Sequence, residues 1–177
     1  TSDLAIEAIM ALKNEYDFDM DKIQALVVIT QNPDSRGLPH TAAIIHDKLS
    51  MKNEVAAFDV SLGCSGYVYG LSIIKGLMEE AGLSNGILVT CDPYSKVINR
   101  ESPDCSLLFG DASSATWLSD KGDWVFDKPL LSTNGSGQRD LYVDQNNRLN
   151  MNGRRIFNFA KKEVPKQIDQ ILKNQNL

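Results

Sequence analysis

Three short β-rich runs, Ile23 to Thr30, Val55 to Val60 and Gly86 to Thr90, alternate along the chain with segments whose apolar residues recur at helical spacing. Alternation of this kind implies an α/β fold: a mostly parallel sheet covered by helices on both faces, since parallel neighbours need long crossovers and helices supply them. In the first helix Ser2 is placed to cap and Leu4, Ala8, Ala11 and Leu12 share a face. The second follows Pro39, with Thr41 as its cap and Ala42, Ile45 and Leu49 at helical spacing. A third carries Tyr67, Leu71, Ile74, Met78 and Ala81, and Gly82 is placed to end it. Ser106 to Phe109 with Ala115 to Leu118 reads as one strand interrupted at Gly110-Asp111. Trp124 to Leu131 and Leu141 to Val143, flanking Asn134-Gly135-Ser136-Gly137, read as a hairpin excursion. A last helix from Arg154 is expected to bury Ile156, Phe157, Ala160, Val164, Ile168 and Ile171, with Pro165 breaking or kinking it near Val164.

Cys64 stands where the second of these runs gives way to the third helix, in Phe58-Asp59-Val60-Ser61-Leu62-Gly63-Cys64-Ser65-Gly66-Tyr67. A thiol at a helix N-terminus meets unpaired backbone N–H groups and the positive end of the helix dipole, which together can lower its pKa from about 8.5 by several units. Gly63 and Gly66 let another backbone or a substrate approach closely. Context alone leaves two readings open for Cys64, a nucleophile or a small buried hydrophobe.

Composition excludes several classes. The 177 residues are 42% hydrophobic and 23% charged, and no apolar run approaches the length of a membrane span. The formal net charge of −5 argues against nucleic acid or an anionic membrane as partner. Three scattered cysteines fit neither a disulfide framework nor a zinc spacing, and with no basic and apolar leader pattern at Thr1 the expected location is the reducing cytoplasm. The absence of an initial Met leaves room for residues upstream. His40 and His46 lie six apart across a loop and a helix, off the spacing that presents two imidazoles to a metal, so no metal site is expected.

The stretch from Phe58 to Leu71 resembles the nucleophile segment of the β-ketoacyl-acyl carrier protein synthase III family, within the thiolase-like superfamily. Three further stretches in the same order are similar to that family. They are Val28-Ile29-Thr30-Gln31-Asn32-Pro33-Asp34 with Leu38-Pro39, Leu107-Leu108-Phe109-Gly110-Asp111-Ala112, and Met151-Asn152-Gly153-Arg154 with Phe157. The family usually has Gly where Ala112 stands. The resemblance implies a thiolase-like sheet of order 3-2-1-4-5, with residues 1–120 an N-terminal half lacking its first strand, 121–150 a hairpin or loop excursion, and 151–177 the first helix of a second half. On that order the missing strand is central, and its two neighbours here are left with a gap between them. Either the chain is a segment of a longer protein, the favoured reading, or another chain fills the gap.

As implied by the resemblance, Cys64 attacks a short acyl-CoA to give an acyl-enzyme, and malonyl-acyl carrier protein is the second substrate. No cofactor is expected. The family's catalytic His and Asn fall beyond Leu177, so this segment alone should fail at condensation. The alternatives are another thiolase-like acyl-CoA acyltransferase of secondary metabolism and a non-catalytic subunit of the same fold. Leu38 falls at an acyl-pocket position, or is an ordinary loop hydrophobe. Leu107 and Phe109 match pocket-wall positions, with core the simpler reading, and Gly153 joins them as a substrate-binding position. Arg154, Arg155, Lys161 and Lys162, with Lys166 nearby, form either a docking face for an acidic carrier protein or a solvated helix surface. Gly110-Asp111 is read as structural, and Cys91 and Cys105 as packing. A homodimer paired through residues 55–60 is the expected assembly.

Overall fold

The computed structural model describes residues 1–100 and 103–175. Its elements are α1 (Ser2–Tyr16), β1 (Ala25–Ile29), α2 (Thr41–Lys48), β2 (Ala56–Val60), α3 (Gly66–Ala81), β3 (Asn85–Pro93), α4 (Pro103–Ser106), β4 (Asp111–Ser119), β5 (Leu141–Val143), β6 (Leu149–Met151) and α5 (Gly153–Asn174). They fall into two compact units, Thr1–Pro93 with Asp111–Pro129, and Tyr94–Gly110 with Leu130–Leu177.

In the first unit β1 pairs in parallel with β2 on one side and β3 on the other, and β4 runs antiparallel along β3, giving the order β2-β1-β3-β4. Every residue of β1 is buried, because its side chains alternate between two covered faces. Leu26 and Val28 pack with Ile87 and Val89 under α1 and α2, and Ala25, Val27 and Ile29 pack with Leu88 under α3. The α/β architecture is as expected, but the gap is not present. β1 and β3 pair directly over five residues, from Ala25↔Gly86 to Ile29↔Thr90, so their facing backbone groups are satisfied and no slot remains. β2 is an edge strand and only half-buried.

Both helix caps come from a distance. Thr1 and His40, not Ser2 and Thr41, hold the N-cap positions of α1 and α2, and neither makes a side-chain cap bond. Asp34 instead accepts from the Ser2 N–H at 2.8 Å, and Asp59 from the N–H groups of Thr41 and Ala42 at 2.6 and 2.7 Å. The buried side of α1 is Ser2, Ala5 and Ile9, rotated from the face first read. α3 ends at Gly82 as expected, with φ 65°. Its buried stripe is Gly66, Gly70, Ile74 and Met78, whereas Tyr67 and Ala81 are exposed.

The second unit has a small core of Val97, Cys105 and Leu149, with Phe109 stacked on Tyr94 at 4.7 Å. Here the chain departs from expectation. Ser106 to Phe109, expected as strand, is the last residue of α4 and the turn after it, so the strand starts only at Asp111, and β5 pairs with β6 through Leu141↔Met151, not with residues 124–131. α5 runs through Pro165 without interruption. None of its residues is buried: Ile156 and Ala160 are half-buried, while Phe157, Val164, Ile168 and Ile171 are exposed. No helix among the described residues is long and apolar enough to cross a membrane.

Candidate active site

Parallel strands end on one side of a sheet, and in open α/β folds that side is where ligands bind. The carboxyl ends of β1 and β2 lead into residues 30–34 and 61–65, and β3 ends beside them in Asp92–Pro93. Cys64 lies in the second of these segments, two residues before α3, and it is exposed, which removes the reading of a packed small hydrophobe. The turn holding it closes through Gly66 N–H to the Gly63 carbonyl at 2.7 Å. Ser65 is the N-cap residue and makes no side-chain cap bond. Among the described residues the Cys64 N–H donates to none.

Glycines place this helix end. A Cβ on Gly66 would come within 2.3 Å of Ile29 Cγ2, and one on Gly70 within 2.8 Å of Leu88 Cδ1. α3 therefore lies directly on the end of β1 and the middle of β3, and its first turn cannot drift from the end of β1.

Asp92, which the motif reading passed over, organises the neighbouring loop. Its Oδ1 accepts from Thr30 Oγ1 at 3.1 Å, Gln31 N–H at 2.8 Å, and both the backbone N–H and Nδ2 of Asn32 at 3.1 Å. The available signal was a carboxylate ending an apolar strand, on the side of the sheet where sites form. Further along this loop Ser35, Arg36 and Gly37 all take left-handed φ values, and Leu38 projects with 86% of its surface exposed.

The remaining candidates lie in the second unit. Leu107 is exposed rather than core, and Phe109 is half-buried against Tyr94. Gly153 opens α5. Arg155 pairs with Asp140 at 3.2 Å and Lys162 with Glu163 at 3.7 Å, while Arg154 and Lys161 are exposed. Gly110 has no left-handed φ, so the turn does not depend on glycine there. A polar cavity of about 340 Å³ is lined by Asn99, Cys105, Asp144, Arg148, Leu149, Asn150 and Met151. Its carboxylate is already engaged: Asp144 accepts from Arg148 N–H, Asn146 N–H and Asn150 Nδ2, bonds that outweigh desolvation and hold it below the usual carboxylate range.

The two histidines are structural, with His40 Nε2 on the Ala57 carbonyl at 3.1 Å and His46 Nε2 on that of Lys52 at 2.9 Å. Cys91 and Cys105 are buried, and burial pushes the Cys91 thiol up. No cluster of metal-ligating side chains occurs among the described residues.

A parallel sheet with one antiparallel edge, helices on both faces and a cysteine at the start of the helix that follows β2 define a thiolase-like protein. The sequence model of 3-oxoacyl-[acyl-carrier-protein] synthase III matches residues 58–135. The chain is 32% identical to the β-ketoacyl-[acyl-carrier-protein] synthase III of Clostridium perfringens, in an alignment covering 100% of this chain and 59% of that protein. A crystal structure of 3-oxoacyl-(acyl-carrier-protein) synthase III superposes with a TM-score of 0.90 at 31% identity, over 99% of this chain and 59% of that one. The Thermus thermophilus synthase III gives 0.82 at 29% identity, over 90% and 53%. The chain belongs to the ketoacyl synthase III family. It spans about three fifths of the length of the curated relatives it matches.

Proposed function

We propose that this chain is the N-terminal part of a ketoacyl synthase III-type condensing enzyme, in which Cys64 takes an acyl group from a short acyl-CoA and passes it to malonyl-acyl carrier protein. The observation that carries this reading is Cys64 itself, exposed at the uncapped N-terminus of α3 with its own N–H unspent. The Cys64 thiolate attacks the thioester carbonyl, and CoA leaves as its thiolate, which takes a proton from solvent. The Cys64 N–H is one donor for the oxyanion formed on the way, a contribution of about 3 kcal/mol by comparison with other acyl transfers.

The second donor, and the His and Asn that stabilise the malonyl-derived carbanion as carbon dioxide departs, belong to residues beyond Leu177. Residues 1–120 form the first half of the enzyme and 151–177 open the second. That assignment accounts for α5, whose face with Phe157, Val164, Ile168 and Ile171 has no cover within its own unit. Leu38, Leu107 and Phe109 are assigned to acyl-pocket positions and Gly153 to substrate binding. Arg154, Arg155, Lys161 and Lys162 offer charge to the acidic carrier protein.

The assembly is a homodimer through residues 55–60, in the cytoplasm. β2 supports this, because Ala56 N–H and the Val60 carbonyl are spent on Gln24 and Thr30, which turns the N–H groups of Ala57 and Asp59 to the open edge. The full-length enzyme given acetyl-CoA and malonyl-acyl carrier protein should form ketoacyl product, and residues 1–177 alone should form none. Product from the isolated segment would refute the division of labour.

A further inference from the structure

Gln31 follows β1, and its backbone is held by the same Asp92 oxygen that binds Thr30 and Asn32. Its side chain turns toward the loop after β2. A Cβ built on Gly63 would lie 2.5 Å from Gln31 Oε1 and 3.3 Å from its Cδ, so the carboxamide occupies the space above the residue preceding Cys64. Gly63 also supplies the carbonyl that closes the turn, accepting from Gly66 N–H at 2.7 Å. The turn is thus held on one side by α3, through the contact of Gly66 with Ile29, and on the other by Gln31.

We propose that Gln31 is a positioning residue for Cys64, its carboxamide buttressing Gly63 so that the turn presents the thiol in one orientation at the head of α3. Asp92 fixes where that buttress starts, and glycine at 63 leaves it room. The role rests on Cys64 as the acyl acceptor, but the geometry concerns the thiol whatever it attacks.

The test uses the full-length protein with Gln31→Ala, Gln31→Glu, Gly63→Ala and the Gln31→Ala/Gly63→Ala pair. Two readouts are followed: the pH dependence of Cys64 alkylation by iodoacetamide, and the rate of acetyl transfer from acetyl-CoA by intact mass. Gln31→Ala should slow both by about fivefold or more with the half-saturating acetyl-CoA concentration unchanged. A methyl group at 63 must displace the flexible carboxamide, so Gly63→Ala should do the same, and the pair should be no slower than either single variant. Gln31→Glu keeps the length and adds a negative charge beside the turn, and should raise the alkylation midpoint by about half a pH unit.

Losses that multiply in the pair, an unmoved midpoint with Gln31→Glu, or Gln31→Ala rates within about twofold of wild type overturn the proposal. Gln31 is exposed, so its two variants decide the matter even if Gly63→Ala does not fold. If wild-type Cys64 alkylates but takes no acetyl group, the acyl-transfer reading fails, and the alkylation data still judge Gln31.

Discussion

Asp59, on the edge strand β2, caps α2 by accepting from the backbone N–H of Thr41 at 2.6 Å, with a second bond from Ala42 at 2.7 Å. One carboxylate therefore links the strand that leads to Cys64 with the helix on the opposite face of the sheet. Two orphan donors at a helix N-terminus and a favourable dipole make the pair cooperative. Asp59→Ala should destabilise the folded protein by about 2 kcal/mol, and Asp59→Asn by less, since an amide oxygen still accepts. Urea unfolding of the three proteins checks the order, and an Asp59→Ala midpoint equal to wild type would rule out the link.

Asp34 gives a pH signature. Burial pushes its carboxyl up, but the hydrogen bond from the Ser2 N–H at 2.8 Å outweighs that and holds it below the usual carboxylate range. A folded pKa below the unfolded value of about 3.9 means that the ionised group contributes stability above that pH and loses it as the pH falls toward the lower folded value. Acid titration of thermal stability should accordingly be less steep below about pH 4 for Asp34→Asn than for wild type. Equal slopes would show that the carboxylate is not held as described.

The close seat of α3 is open to a direct challenge. Gly66→Ala forces a methyl group into Ile29 and should cost about 1–3 kcal/mol, with part of the loss recovered by Ile29→Ala in the same molecule. The same substitution should slow alkylation of Cys64, because it lifts the turn that bears the thiol. Full stability in the single variant would mean that the helix does not lie where it is described.

Reversing the exposed cations of α5 separates two substrates. Lys161→Glu with Lys162→Glu should lower the rate with carrier protein by about fivefold, while acylation by acetyl-CoA is unchanged. Lys161 is expected to dominate, as Lys162 already sits 3.7 Å from Glu163. Equal losses with both substrates would discard the docking face.

Residues whose fate is decided locally were legible in the sequence. The runs that became β1, β2 and β3 carry their own periodicity, Gly82 ends α3 through its left-handed φ, and the strand-turn-helix around Cys64 follows from Val60, Gly63 and Gly66. What escaped was set across the fold. Side-chain alternation does not say which strands are neighbours, so the direct pairing of β1 with β3 had to be seen. Leu149–Met151 is too short and too polar at Asn150 to announce a strand, and it is fixed by Val97, whose carbonyl accepts from Leu149 N–H at 2.8 Å.

The caps from Asp34 and Asp59 lie 32 and 18 residues from the N–H groups they serve, beyond any local capping pattern. The apolar stripe of α5 announces a face to be covered without naming its cover. Its exposure also explains how Pro165 is tolerated, since water can take up a carbonyl that loses its helical donor.

Intact-mass analysis of the full-length protein after incubation with acetyl-CoA tests the central claim most directly. The account predicts one acetyl group, located on the peptide containing Cys64 and absent from Cys64→Ala. An unmodified wild-type protein, or an adduct that persists in Cys64→Ala, would contradict it.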